Sequence, residues 1–412
     1  MTGTPLQNNL QELVSVLAFM MPDLFSECQE DLLYIFKHKA KASDEDHAAL
    51  LSKQRISRAR SMMAPFVLRR RKEQVLTDLP TKHTRIEYCD MTPVQKEIYD
   101  EYATEHQMLL ARRAAGEKTD VVNNHLMLRR QAAIHPLLFR RHFDDATVEK
   151  MASRVPKKGK YKGWSEIKTK EWFEWYSDFQ LHELCEQYPE LKRLDKLKGE
   201  ECMDSGKVQK LVEILKKHAA NGDRTLLFSQ FTTVLDILEA VLANINVTFS
   251  RIDGAVNVAE RQDLIDQYAQ DESIQVFMLS TKAGGTGINL ACANKVVIFD
   301  SSFNPHDDIQ AENRAHRIGQ KREVEIIRLI TRGTIEEQIH ALGNSKLLLD
   351  LRVSADDETG EKVNKKAQKM IEDMLLVKTE DDGADGVEGA ATGDLKDLFA
   401  KGLRTAGVEV FS

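Results

Sequence analysis

The chain has 412 residues, with 58 Lys and Arg against 65 Asp and Glu and a formal net charge of −7 at pH 7; at roughly 100 to 200 residues per domain, that allows two or three domains with a buried core. A hydrophobic share of 42% and a charged share of 30% exclude a chain that is disordered or collagen-like throughout. No apolar run reaches the ~18 residues of a membrane span and the N-terminus lacks a charged-then-apolar signal, so a soluble intracellular protein with no membrane partner is the expectation.

Residues 9–188 carry apolar side chains at three- and four-residue spacing, as in Leu10, Leu13, Val14, Leu17 and Met21, which predicts a mostly helical region. Residues 86–89 form a candidate short strand within it. Arg69, Arg70, Arg71 and Lys72 make a basic cluster. From Met151 to Trp172 seven Lys or Arg stand against two Glu, with Pro156, Gly159 and Gly163 between them, the pattern of an exposed loop. Residues 189–203 read as a linker.

From residue 204 short β-rich runs alternate with amphipathic helices. Strands are predicted at 226–228, 247–252, 274–279, 296–299 and 325–330. A helical stripe of Val234, Leu235, Leu238, Val241 and Leu242 follows the first. Asn257 with Glu260, and Thr334 with Glu337, have capping-box spacing at the starts of later helices. Strands and helices in this order predict an α/β domain with a doubly wound parallel sheet, with ligands at the carboxyl ends of the strands. Residues 204–351 are expected to fold on their own. The last stretch, 352–412, reads as an acidic and partly disordered tail, with four basic against eight acidic residues from Lys378 onward.

The five cysteines, Cys28, Cys89, Cys185, Cys202 and Cys292, are scattered and never in C-x-x-C spacing, against both a disulfide framework and a structural zinc. His182 and Cys185 could share a helix face, but no second pair accompanies them.

Two segments at the strand ends carry chemistry. Ser280-Thr281-Lys282-Ala283-Gly284-Gly285-Thr286-Gly287-Ile288-Asn289 has three glycines in four residues, so its amides could face phosphate oxygens; an ordinary tight turn is the alternative. Asp300-Ser301-Ser302-Phe303-Asn304-Pro305 leads to a predicted helix carrying Gln310, Arg314 and Arg317 on one face and stopped by Gly319. Two arginines there suit charge stabilisation on a transferring phosphoryl group, or form a solvated basic face.

Met1-Thr2-Gly3-Thr4-Pro5-Leu6-Gln7-Asn8-Asn9, Leu227-Phe228-Ser229-Gln230-Phe231, the glycine segment and Gln310 to Gln320 occur in this order. With them the chain resembles the SWI/SNF-type ATPases, superfamily 2 helicase relatives that translocate on duplex DNA and remodel chromatin, from Met1 to about Leu351. Phe303-Asn304-Pro305, where most relatives have Trp-Asn-Pro, together with the Arg-Arg-Arg-Lys-Glu-Gln-Val-Leu run, makes it most similar to the SMARCAD-type branch.

The resemblance implies two RecA-like lobes with ATP and magnesium between them, of which this chain holds the second. Residues 1–8 would end the first lobe, with Thr2, Gly3, Thr4 and Pro5 as the coupling motif. Residues 9–188 would be the insertion and brace region between the lobes. It implies DNA contacts at Ser229, Gln230, Arg261, Thr281 and Lys282, with a surface ion pair as the alternative for Arg261. Nucleotide contacts fall to Gly285, Gly287 and Asn289, and arginine fingers to Arg314 and Arg317 beside Gln310. Duplex DNA, nucleosomes and histones would be partners, and the nucleus the location.

No G-x-x-x-x-G-K-[ST] run exists in the sequence. Asp44-Glu45-Asp46-His47 spells D-E-x-H but follows polar residues and comes after the coupling motif. The magnesium ligands therefore belong to a first lobe outside this sequence, and an incomplete gene product is the expectation. Two other readings stand beside the translocase: a non-catalytic DNA- or partner-binding module, and an RNA helicase of the same superfamily.

Overall fold

Residues 18–25, 79–114, 122–156, 159–283 and 288–354 are described by the computed structural model. The chain divides into two units, one of residues 79–346 and one of residues 1–78 with 347–412. The described residues of the second unit include a one-turn helix, Pro22–Phe25.

The unit of residues 79–346 opens with β1 (Lys82–Cys89) and five helices: α1 (Pro93–Ala114), α2 (Val122–Ile134), α3 (Asp145–Arg154), α4 (Glu166–Phe173) and α5 (Asp178–Gln187). Local capping explains three of the starts. Asp144 accepts from the Thr147 amide at 2.8 Å, Ser165 from Lys168 at 3.2 Å, and Ser177 forms a reciprocal capping box with Gln180. Next come α6 (Gly206–Ala220), β2 (Thr225–Ser229), α7 (Thr232–Asn244), β3 (Phe249–Ile252) and α8 (Val258–Gln270). The series ends with β4 (Val276–Ser280), β5 (Lys295–Ile298), α9 (Pro305–Glu312), β6 (Val324–Thr331) and α10 (Ile335–Ser354).

All strands pair in parallel in the order β1-β6-β5-β2-β4-β3. Side chains alternate between the two faces, and both faces are covered. Leu227, Val276, Met278, Val297, Ile327 and Leu329 join one core layer, while Leu226, Phe228, Phe277, Leu279, Val296, Ile298 and Ile326 join the other. The doubly wound α/β class is therefore present.

The sheet has six strands, the five expected after residue 204 and β1. β1 is longer than the predicted strand at 86–89 and pairs with β6 along its whole length, from Lys82 opposite Val324 to Cys89 opposite Thr331. Lys82, His83, Thr84 and Arg85 on its exposed half hide the strand from a hydrophobicity pattern while discouraging further edge pairing.

Packing crosses the expected boundaries at 188 and 204. Ile134, Phe143, Met151, Tyr161, Phe173 and Leu181 of the helical region share a core layer with Leu211 and Leu215 of α6 and Val241 of α7. The expected linker is packed: Leu191, Leu197 and Cys202 are buried in that same layer, and Cys185 is buried there while His182 pairs with Asp195 at 2.8 Å. Residues 79–203 thus supply the edge strand β1 and helices packed on the sheet domain. At the start of α8, Asn257 makes no side-chain cap; its amide meets the Glu260 carboxylate at 3.3 Å instead. The start of α10 is capped as predicted in kind, with the Gly333 amide donating to Glu337 at 3.0 Å and Thr334 accepting from Glu336 at 3.3 Å.

Candidate nucleotide and DNA-facing rim

The carboxyl ends of β2, β4 and β5 lie side by side, as the pairing of Ser229 with Ser280 and of Phe228 with Ile298 requires. Asp300, two residues beyond β5, is fully buried and organises the loop after β2. The Ser229 hydroxyl donates to its carboxylate, and the Gln230 amide donates at 3.0 Å. Burial pushes the Asp300 carboxyl above the usual carboxylate range, an effect that Arg130 beside it only partly offsets.

Arg130 comes from α2. Its guanidinium meets Asp300 at 3.1 Å, donates to the Ser301 carbonyl, and lies 5.0 Å from the Phe231 ring centroid and 5.2 Å from that of Phe303. The sequence reading missed both Arg130 and the role of Asp300. An acidic residue just past an apolar strand was a signal for Asp300; Arg130 had none, because its partner is 170 residues away.

The expected DNA-contact residues fall into different environments. Ser229 is buried and turned towards Asp300, so its hydroxyl positions the loop and does not face outward. Thr281 is also buried, with its amide and hydroxyl both donating to the Ser229 carbonyl, at 2.9 and 3.2 Å. Arg261 donates to the carbonyls of Val256 and Asp253 at 3.1 and 3.2 Å, bracing the turn before α8. That is a backbone brace, not the surface ion pair considered from sequence. Lys282 is exposed, and Gln230 is half-buried with its side-chain nitrogen enclosed and unpartnered. Asn289 is exposed and accepts from the Ala291 amide at 3.4 Å. Gly285, Gly287, Thr2, Gly3, Thr4, Pro5, Arg69 to Lys72 and Asp44 to His47 lie outside the described residues.

The arginine segment differs from the expected helix. Asn304 caps α9, accepting from His306, with Pro305 at the first position; the helix carries half-buried Gln310 and ends at Glu312. Arg314 and Arg317 follow in tight turns that close at Gly319, whose φ of +101° favours glycine.

Tertiary contacts hold the end of the helix. Glu312 is buried and held by Lys82 and Arg328. The Gln320 side chain donates to the carbonyls of Ala293 and Ala315, at 2.8 and 3.2 Å. As a result the arginine segment lies along the residues that follow the glycines. The Arg314 carbonyl accepts from Leu290 at 3.2 Å, and Arg317 donates to the Ile288 carbonyl at 3.3 Å. Burial and the neighbouring charge of Arg317 both lower the pKa of Arg314. Two half-buried like charges form a place where an anion would be stabilised.

Among the described residues, no group of three or more His, Cys, Asp or Glu is arranged to hold a metal ion, and no helix is long and apolar enough to cross a membrane. An open cavity of about 470 Å³ lies away from the rim, lined by Lys160, Tyr161, Tyr176, Glu183 and Tyr188 among others.

A crystal structure of the C-terminal part of the Fun30 ATPase domain matches with a TM-score of 0.60 and 41% identity, over 70% of this chain and 98% of that one. The chain belongs to the SNF2-related, Fun30-type family. Residues 206–319 match the family described as Helicase conserved C-terminal domain, and residues 1–138 the SNF2-related domain. The ATP-dependent helicase fft2 of Schizosaccharomyces pombe is 49% identical over 91% of this chain and 30% of its own length. The ATP-dependent helicase FUN30 of Saccharomyces cerevisiae is 44% identical over 91% of this chain and 34% of its length. The chain thus spans about a third of these two Fun30-type relatives. The helicase C-terminal match covers α6 to Gly319, and so includes Asp300, the glycine segment and both arginines.

Proposed function

We propose that this chain is the C-terminal half of an ATP-dependent DNA translocase of the chromatin-remodelling kind, working in the nucleus on duplex DNA and nucleosomes. The observation that carries the reading is the docking of Arg314 and Arg317 on Ile288 to Leu290 at the carboxyl edge of a parallel sheet. The names of the Fun30-type relatives, all ATP-dependent helicases, support it.

In this reading ATP and its magnesium are held by a first lobe, since the sequence contains no phosphate loop. Arg314 and Arg317 then stabilise the negative charge that builds on the γ-phosphoryl oxygens as water attacks, with Gln310 beside them. Gly285, Gly287 and Asn289 line the nucleotide, and Thr2 to Pro5 couple its state to DNA. Lys282 and Gln230 contact DNA phosphates, which positions the motor without reading sequence. Ser229, Thr281 and Arg261 support those contacts from behind.

The test is Arg317→Ala in a full-length protein that carries both lobes. ATP turnover should fall by about 10³ or more while duplex affinity stays within a factor of about two. A loss of DNA affinity as large as the loss of turnover would overturn the assignment.

A further inference from the structure

The rim described above is built from two loops, and one side chain from outside the sheet holds both. Residues 229–231 follow β2 and carry Gln230; residues 301–304 follow β5 and launch α9, which leads to Arg314 and Arg317. Phe231 belongs to the first loop and Phe303 to the second, and the Arg130 guanidinium lies over both rings. The same group pairs with Asp300 and donates to the Ser301 carbonyl. Asp300 in turn accepts from the Ser229 hydroxyl and the Gln230 amide.

Arg130 is itself anchored. Only 4% of it is exposed, and three side chains seize the carboxyl end of its helix. Gln95 donates to the carbonyls of Ala132, Ala133 and Ile134, Ser205 to Ile134 at 2.8 Å, and Thr331 to Ala133 at 2.8 Å. A planar, always-charged group with several fixed donors is the one side chain that can satisfy a carboxylate, a carbonyl and two ring faces together.

We propose that Arg130 is a positioning residue for the motor reaction, fixing the DNA-facing loop and the base of the arginine-bearing segment relative to each other through Asp300, Phe231 and Phe303. It touches neither nucleotide nor DNA. Its consequence is that α2, which lies before the helicase C-terminal match in the chain, sets how well DNA occupancy is transmitted to Arg314 and Arg317. The proposal rests on the reading of the rim as the DNA- and ATP-facing edge.

The experiment measures ATP turnover of the full-length, two-lobed protein titrated with a synthetic blunt duplex, beside its thermal unfolding. Arg130→Lys keeps the charge but loses the fork and the stacking plane. The half-saturating duplex concentration should rise about tenfold or more, with turnover at saturating DNA reduced less, in protein whose unfolding remains cooperative. Phe303→Leu guards against a variant that fails to fold, because that ring is 41% exposed; it should shift half-saturation in the same direction by a smaller factor.

Unchanged half-saturation in folded Arg130→Lys, or in Phe303→Leu where the lysine variant does not fold, would overturn the proposal even if melting is lowered, because a purely structural role moves only the melting. Failure of the underlying reading looks different: wild-type turnover indifferent to duplex, or Arg317→Ala turnover equal to wild type.

Discussion

At the scale of single residues, two positions are constrained by contact with backbone, and each gives a measurable consequence. Gly206 opens α6 with its Cα pressed on the turn that follows β1. A Cβ there would sit 1.8 Å from the Asp90 carbonyl oxygen and 2.9 Å from its carbon. The obstacle is main chain and cannot swing aside, so Gly206→Ala should lower stability by about 1–3 kcal/mol or more in urea unfolding, as overpacking does. His135 is buried with its Nδ1 accepting from the Leu137 amide at 3.1 Å and its Nε2 facing the Cys202 carbonyl at 3.0 Å. That network fixes a neutral ring with its proton on Nε2, and burial pushes its pKa down to about 4. The folded protein therefore takes up this proton less readily than the unfolded chain. Stability from His135 is complete above pH 6.5 and is lost as pH falls from there to about 4. The stability gap between wild type and His135→Gln should narrow by about 1.4 kcal/mol per pH unit in that window; a gap independent of pH would contradict the assignment.

Elements divide by whether their cause is local. Thr225–Ser229 and Val276–Ser280 are buried throughout, and their apolar runs were legible because both faces of the sheet are covered. β1 was only half legible, since its exposed polar half gives no pattern and its partner β6 lies some 240 residues on. The end of α9 was not legible at all. The sequence keeps its helical spacing through Arg317, whereas the helix ends at Glu312, whose carboxylate is held by Lys82 and Arg328. The same division argues against 204–351 folding alone. Without residues 79–203, the β6 edge is unpaired and the core layer shared with α6 and α7 is open on one side. A fragment of residues 79–354 should unfold cooperatively in urea, whereas 204–354 should bind a hydrophobic dye and aggregate; equal cooperativity in both would refute this.

For the whole molecule, the candidate site was legible as residue types and order, and illegible as geometry. The glycine segment and both arginines were named from sequence, yet the route that brings Arg317 to Ile288 runs through turns that a helical reading replaced. Ser229 and Thr281 were expected at DNA from the family resemblance; here the buried Asp300 and the Ser229 carbonyl claim their hydroxyls. Chemistry at this scale also needs its counterpart. Arginine fingers assist a nucleotide that something else binds, and the 412 residues contain no phosphate loop. This polypeptide by itself should release no phosphate from ATP above background, with or without duplex DNA. Turnover that vanished on changing Arg317 to Ala would refute that expectation.

The pairing of β1 with β6 has a mechanical side. The two strands run in the same direction, so the chain enters the sheet at the start of one and leaves at the far end of the other. Tension between those two points pulls the strands lengthwise past each other. Their evenly spaced ladder is then loaded in shear, all bonds together, and not peeled one at a time. The sheet thus resists at its full strength along the line that joins those two points.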